Sequence, residues 1–119
     1  MLQVSAPFHC ARMQPAQDAL ARDLATLNFT DPHFPVACNV DARLLTQATE
    51  VPDCLIRQVT GAVRWVDCVQ ALVAAGPTHF IEVGPGKVLC GLLKQIDATQ
   101  KSLNVEDAAS LEATLAALG

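Results

Sequence analysis

Charge is scarce in this sequence. Only 17% of its 119 residues are Asp, Glu, Lys or Arg, and acids outnumber bases 12 to 8, for a net charge of −4. A nucleic-acid binder would show a basic excess, so no nucleic-acid partner is expected. Long apolar runs are also missing. The stretch Ala71-Leu72-Val73-Ala74-Ala75 is far too short to cross a bilayer, which argues against a membrane partner. The opening Met1-Leu2-Gln3-Val4-Ser5-Ala6-Pro7 has no basic segment followed by an apolar one, so no secretory signal is expected. No C-x-x-C pair occurs among Cys10, Cys38, Cys54, Cys68 and Cys90. Their odd number and wide spacing give no zinc knuckle or redox motif, and predict free thiols in a reducing cytoplasm. His33 and His79 have no carboxylate at a ligand spacing, so no metal site is expected.

What is present is apolar residue in abundance, at 51% of the chain, which excludes a disordered tail. Met13, Ala16, Leu20, Leu24 and Leu27 recur at steps of three and four and predict a helix over about 11–28, with Pro15 in its first turn. Val36–Val40 reads as a strand, and the polar stretch 41–50 as a loop with room for a turn of helix. Pro52 and Asp53 suit the start of a second helix, with Gly61 as its stop. A third helix covers 65–75, closed by Gly76-Pro77. Phe80–Val83 is nearly continuous in apolar content and predicts a central strand. Gly84-Pro85-Gly86 turns the chain into a fourth helix over Val88–Ile96. Ser102–Val105 is a last strand, followed by a helix capped at Asn104, with Leu111, Leu115 and Leu118 as its buried stripe.

Strands alternating with helices predict an α/β layered fold with a short, mainly parallel sheet flanked by helices. The helices carry more apolar surface than three or four short strands can cover. The sequence therefore reads as an incomplete domain, a piece of a larger one.

Three segments could carry chemistry. His9 follows a stiff Pro7-Phe8 approach and precedes the first helix, whose positive end favours the neutral imidazole that can act as a general base. A packing or capping histidine is the alternative. Cys10 adjoins it, but adjacent side chains seldom face one another, which disfavours a Cys–His dyad. Gly84-Pro85-Gly86-Lys87 lacks the G-x-x-x-x-G-K-[ST] spacing of a phosphate loop and reads as a tight turn, with Lys87 a weak candidate for an anion. Arg57, Gln58, Arg64 and Trp65 in isolation read as surface charge, amide and core aromatic.

Taken together and in this order, four runs resemble the C-terminal part of the malonyl-CoA:acyl carrier protein transacylase family. They are Val4–Ala16 (VSAPFHCARMQPA), Pro35–Ala42 (PVACNVDA), Leu55–Val59 (LIRQV) with Val63-Arg64-Trp65, and Glu82–Leu92 (EVGPGKVLCGL). The resemblance covers nearly the whole chain, and the last run is the most diagnostic. It implies a hydrolase-like fold and a ping-pong transfer of malonyl from coenzyme A, through an acyl-serine, to the phosphopantetheine thiol of acyl carrier protein in fatty-acid biosynthesis. It implies malonyl-CoA and phosphopantetheine as substrates, with no bound cofactor and no metal. His9 matches the family's general base and acid. Gln58 matches the glutamine whose backbone carbonyl orients that histidine. Phe8 resembles the residue found there in malonyl-selective relatives.

The chain also departs from the family. It has no G-x-S-x-G elbow, because Ser5, Ser102 and Ser110 lack the flanking glycines. The arginine for the malonate carboxylate, the oxyanion-hole donors and the ferredoxin-like subdomain have no counterpart either. The expectation is that residues 1–119 are the C-terminal segment of the acyltransferase large subdomain, a cytoplasmic fragment inactive alone, whose partners are acyl carrier protein, the coenzyme A thioester and the missing N-terminal part of the same enzyme. The short tail after Leu118 suggests a stand-alone enzyme. The alternatives are an acyltransferase domain of a polyketide or fatty-acid synthase and a non-catalytic truncated remnant.

Overall fold

The structure is a computed structural model and describes residues 7–119. Val4, Ser5 and Ala6 of the first matching run lie outside the described residues. The chain forms two units, one running through Leu72 and the other from Val73 to Gly119.

In the first unit a 3-10 turn, Ala11–Met13, leads into helix α1, Gln14–Leu24. The sequence predicted one helix over 11–28, and both ends differ. Pro15 lies in the first turn of α1, where its missing N–H costs nothing, and Gln14 before it keeps helical backbone angles. At the other end Thr26 Oγ1 donates to the Asp23 carbonyl at 2.8 Å and closes the helix, which leaves Leu27 exposed.

Strand β1, Val36–Cys38, pairs antiparallel with β2, Arg43–Leu45. In the stretch 41–50, the turn of helix allowed for there is the 3-10 turn Ala48–Glu50, while the strand β2 was not expected. A connection as short as Asn39–Ala42 can join only antiparallel neighbours, since a parallel pair needs a crossover. Ala42 takes φ +55°, and its N–H donates to the Cys38 carbonyl at 2.7 Å. Helix α2, Val51–Arg57, has Pro52 and Asp53 in its first turn as predicted, and stops short of Gly61, with Gln58 as its cap. Cys38, Leu45 and Cys54 form the buried cluster of this unit, with Val40 packed on it. Cys38 and Cys54 are joined as a disulfide, which corrects the expectation of five free thiols; Cys10, Cys68 and Cys90 are free. Widely spaced cysteines gave no hint that the hairpin and α2 share one buried cluster. Helix α3, Trp65–Ala74, buries Cys68 and Val69, and Gly76 follows its end at φ +75°.

In the second unit strand β3, Phe80–Val83, pairs parallel with β4, Ser102–Val105, and helix α4, Val88–Ile96, makes the crossover. Helix α5, Ala108–Leu118, follows. Its cap is Asp107 rather than the predicted Asn104. The Asp107 carboxylate accepts from Ser110 N–H at 2.8 Å, and Ser110 Oγ accepts from Asp107 N–H at 2.9 Å, a closed capping box. Thr114, only 4% exposed, donates its hydroxyl to the Asn104 carbonyl at 3.1 Å and fixes α5 on β4.

The α/β class stands, with five helices among the described residues. The single, mainly parallel sheet does not. Among the described residues there are two sheets of two strands each, one antiparallel and one parallel. β3 is not central here, since among the described residues it pairs with β4 alone, and Val83 is 79% exposed. Leu111, Leu115 and Leu118 are exposed as well, so the predicted buried stripe of α5 lies open, and Thr114 faces the strand instead.

Candidate functional site

His9 lies in the turn that leads into the 3-10 helix, with its backbone at φ +54°, in the left-handed region that few non-glycine residues adopt. Its Nδ1 is 2.9 Å from the backbone carbonyl oxygen of Gln58, a contact across 49 positions of sequence. A carbonyl has no hydrogen to give, so Nδ1 carries the proton and donates it. In the neutral ring Nε2 is then left as the acceptor. The imidazole is exposed, so that acceptor is open to an approaching proton donor.

The carbonyl is available for a reason that lies in α2. The last carbonyls of a helix have no partner within it, and Gln58 is the cap residue of α2. A helix end therefore supplies an acceptor dipole to the ring without a negative charge. Thr60 Oγ1 donates to Gln17 Oε1 at 2.6 Å and binds the stretch after α2 to α1, the helix that follows His9.

Cys10 takes no part in this contact. Its thiol donates to the Pro7 carbonyl at 3.1 Å, so the adjacent His–Cys pair does not form a dyad. Phe8 is 58% exposed and next to His9 in sequence. Ser110 is committed to the α5 cap, which leaves its hydroxyl no free role. His79 Nδ1 sits 3.3 Å from the Thr78 hydroxyl. Among the described residues no three His, Cys, Asp or Glu side chains converge as a metal would need, and no helix is long and apolar enough to cross a membrane.

The Gly84–Lys87 turn is filled from within. Gly84 and Gly86 have φ +138° and +85°, which a side chain would strain. The Gly86 N–H donates to the Glu106 carboxylate at 2.9 Å. Glu82, on β3, accepts from Leu89 N–H at 3.0 Å and Cys90 N–H at 2.8 Å, at the start of α4. Those two N–H donors, Cys90 first, hold the Glu82 carboxyl below its usual range. Two carboxylates thus occupy the donors an anion would use, and the turn is architectural. Sequence reasoning passed over Glu82 and Glu106. An acid ending a strand a few residues before a helix start was the available signal.

A charge network surrounds the end of α2, and it was read from the sequence only as surface charge. Arg57 donates from Nη1 and Nη2 to the two oxygens of Asp41, at 2.8 and 2.6 Å, and from Nε to Asp53 at 2.7 Å. Arg43 lies 3.5 Å from Asp41 and 2.5 Å from Glu50. The Arg57 hydrogen bonds hold the Asp41 carboxyl down at about 2, and the carboxylates push Arg57 up in turn.

With this geometry in hand, comparison with known proteins is decisive. The malonyl CoA-acyl carrier protein transacylase of Salmonella typhimurium is 45% identical to this chain over 114 residues, 96% of the chain and 37% of that protein. Over nearly its whole length the chain is similar in sequence to malonyl CoA-acyl carrier protein transacylases. The crystal structure of MCAT from Streptococcus pneumoniae superposes with a TM-score of 0.90 at 42% identity, again over 96% of this chain and 37% of that one. The malonyl-transacylase in a complex with a type II polyketide acyl carrier protein is similar too, with 43% identity and a TM-score of 0.86 over 92% of this chain and 36% of that one. No protein-family model matches. The chain spans about 37% of the length of the curated transacylases it matches.

Proposed function

We propose that this chain is the C-terminal segment of the large, hydrolase-like subdomain of a cytoplasmic acyltransferase. The whole enzyme moves malonyl from coenzyme A to the phosphopantetheine thiol of acyl carrier protein in fatty-acid synthesis. The observation that carries the reading is the His9 Nδ1 contact with the Gln58 carbonyl. It joins two of the runs shared with the transacylases and leaves Nε2 free.

In this reading the remainder of the enzyme supplies the serine nucleophile, the oxyanion donors and the arginine for the malonate carboxylate. His9 Nε2 takes the serine proton as oxygen attacks the thioester carbonyl. It returns the proton to the sulfur of coenzyme A as the carbon–sulfur bond breaks. The same nitrogen then takes the proton of the carrier thiol while that sulfur attacks the acyl-serine, and returns it to the serine oxygen. Gln58 steadies the imidazolium with a dipole alone, less strongly than a carboxylate would. A thiolate leaves more readily than an amide nitrogen, so this weaker support suffices. Phe8, beside the base, narrows the acyl pocket toward malonyl. The apolar faces left open at Val83 and along α5 supply the surface that the rest of the enzyme covers.

The test has two arms. The chain alone, incubated with labelled malonyl-CoA, should show no adduct in its intact mass, and a stable adduct, for instance on Cys10, would overturn the account. Spliced in place of the homologous residues of the Salmonella typhimurium transacylase, it should support transfer, and His9→Ala in that hybrid should lose about 10²–10⁴-fold in rate. Equal rates with and without His9 would remove the base assignment. A second reading, in which the carrier serves a polyketide synthase, is favoured by the similarity to the polyketide malonyl-transacylase. Assaying the hybrid with each type of carrier separates the two.

A further inference from the structure

The contact that defines the candidate site depends on where one backbone carbonyl sits, and α2 is a poor instrument for placing it. Seven residues make two turns, too few to hold a fixed shape by their own hydrogen bonds. Something outside the helix must set the position of its last residue.

The structure shows what does so. Arg57, the residue before Gln58, meets Asp41 through a two-point fork, at 2.8 and 2.6 Å. A planar guanidinium on a carboxylate fixes both distance and orientation, which a single contact would not. The other side of the fork is itself held. Asp41 lies in the β1–β2 connection, where Ala42 N–H meets the Cys38 carbonyl and Arg64 N–H meets the Asn39 carbonyl at 3.0 Å. Directly after Gln58 the chain runs against the same connection, because Gly61 packs on Val40 with no room for a side chain. The end of α2 is thus tied to one rigid loop on both sides of the carbonyl that receives His9.

We propose that Asp41 and Arg57 are positioning residues for the acyl-transfer base: their fork sets the Gln58 carbonyl, and through it the tautomer and orientation of the His9 ring. This inference rests on the reading of His9 as base. Neither residue touches the ring or a reacting atom; both act through the carbonyl. Arg43, which also reaches Asp41, is not part of the fork and serves as the comparison.

The test is nitrogen NMR of the histidine rings in the 119-residue chain, at a pH where His9 is neutral. The wild-type ring should be fixed as the Nδ1–H form. Arg57→Lys keeps the charge and loses the fork, and should move His9 toward the Nε2–H form preferred by free neutral histidine. Asp41→Asn, a milder change that keeps one acceptor oxygen, should move it part of the way. Arg43→Ala should leave it fixed. Backbone amide spectra of β1 and β2, in the same unit as the site, report whether each variant is folded there, and if Arg57→Lys does not fold, the Asp41→Asn and Arg43→Ala pair decides. An unchanged Nδ1–H ring in folded Arg57→Lys or Asp41→Asn would overturn the positioning role while leaving His9 as base. A wild-type ring in the Nε2–H form would overturn the base reading itself.

Discussion

Gly61→Ala should destabilise the fold, although two effects oppose each other. Replacing a glycine whose φ any residue can adopt stabilises by about 0.4–1 kcal/mol, because it restricts the unfolded chain. Against this, a Cβ on Gly61 would stand 2.6 Å from Val40 Cγ2 and 2.9 Å from the Arg57 carbonyl oxygen. Both distances are shorter than real Cβ contacts. Val40 is β-branched and stiff, and the Arg57 oxygen is backbone, so neither yields without moving the hairpin or the end of α2. Overpacking of this kind costs about 1–3 kcal/mol, which outweighs the entropic gain. The expected net loss is about 1–2 kcal/mol, seen in urea as a lower midpoint with an unchanged slope. The double variant Val40→Ala with Gly61→Ala removes the shorter contact but leaves the carbonyl contact. Its cost should therefore fall below the sum of the single variants by about 0.5 kcal/mol or more. If Gly61→Ala proved as stable as the parent, the close approach of the two segments would be wrong.

Three further outcomes follow from the geometry. Asp41 is held at about 2 against an ordinary 3.8, so its contribution is present above about pH 4 and is lost as pH falls toward 2. Asp41→Asn should flatten stability across that window when unfolding is followed as a function of pH, and an unchanged acid limb would contradict the fork. Thr114→Val keeps the shape and removes the donor to the Asn104 carbonyl, at a cost of about 1 kcal/mol in thermal or denaturant unfolding. Denatured without reductant, the chain should present three reactive thiols, from Cys10, Cys68 and Cys90, and five after reduction. The bridge closes a loop with a separation of 16 residues and adds about 3 kcal/mol by chain entropy. Five thiols in the untreated protein would refute the pairing.

The sequence announced the elements whose signals are local. Pro52 opens α2, Gly76 closes α3, and the apolar run Phe80–Val83 is a strand. It concealed β2, because Arg43 and the polar residues around it pattern as loop, and the strand exists only through pairing with β1. The burial of Leu111, Leu115 and Leu118 was misjudged for a related reason. Their spacing states which face is apolar, not whether anything in this chain covers it. At the site, His9 was a candidate base from its place before the first helix, but Gln58 stood out only through resemblance, since nothing in the spacing of residues 49 apart predicts a contact. The Asp41–Arg57 fork was beyond reach in the same way, being a meeting of a hairpin turn with a helix end.

Glu82 has a consequence for the corner between β3 and α4. Its carboxylate meets backbone donors only seven and eight residues ahead, so β3, the glycine turn and the first turn of α4 close as one short loop. Closing a loop of that size is fast and costs little chain entropy. The parallel partner lies farther along, with Phe80 opposite Ser102. The strand–turn–helix corner is therefore held by contacts local to it, independent of the pairing with β4.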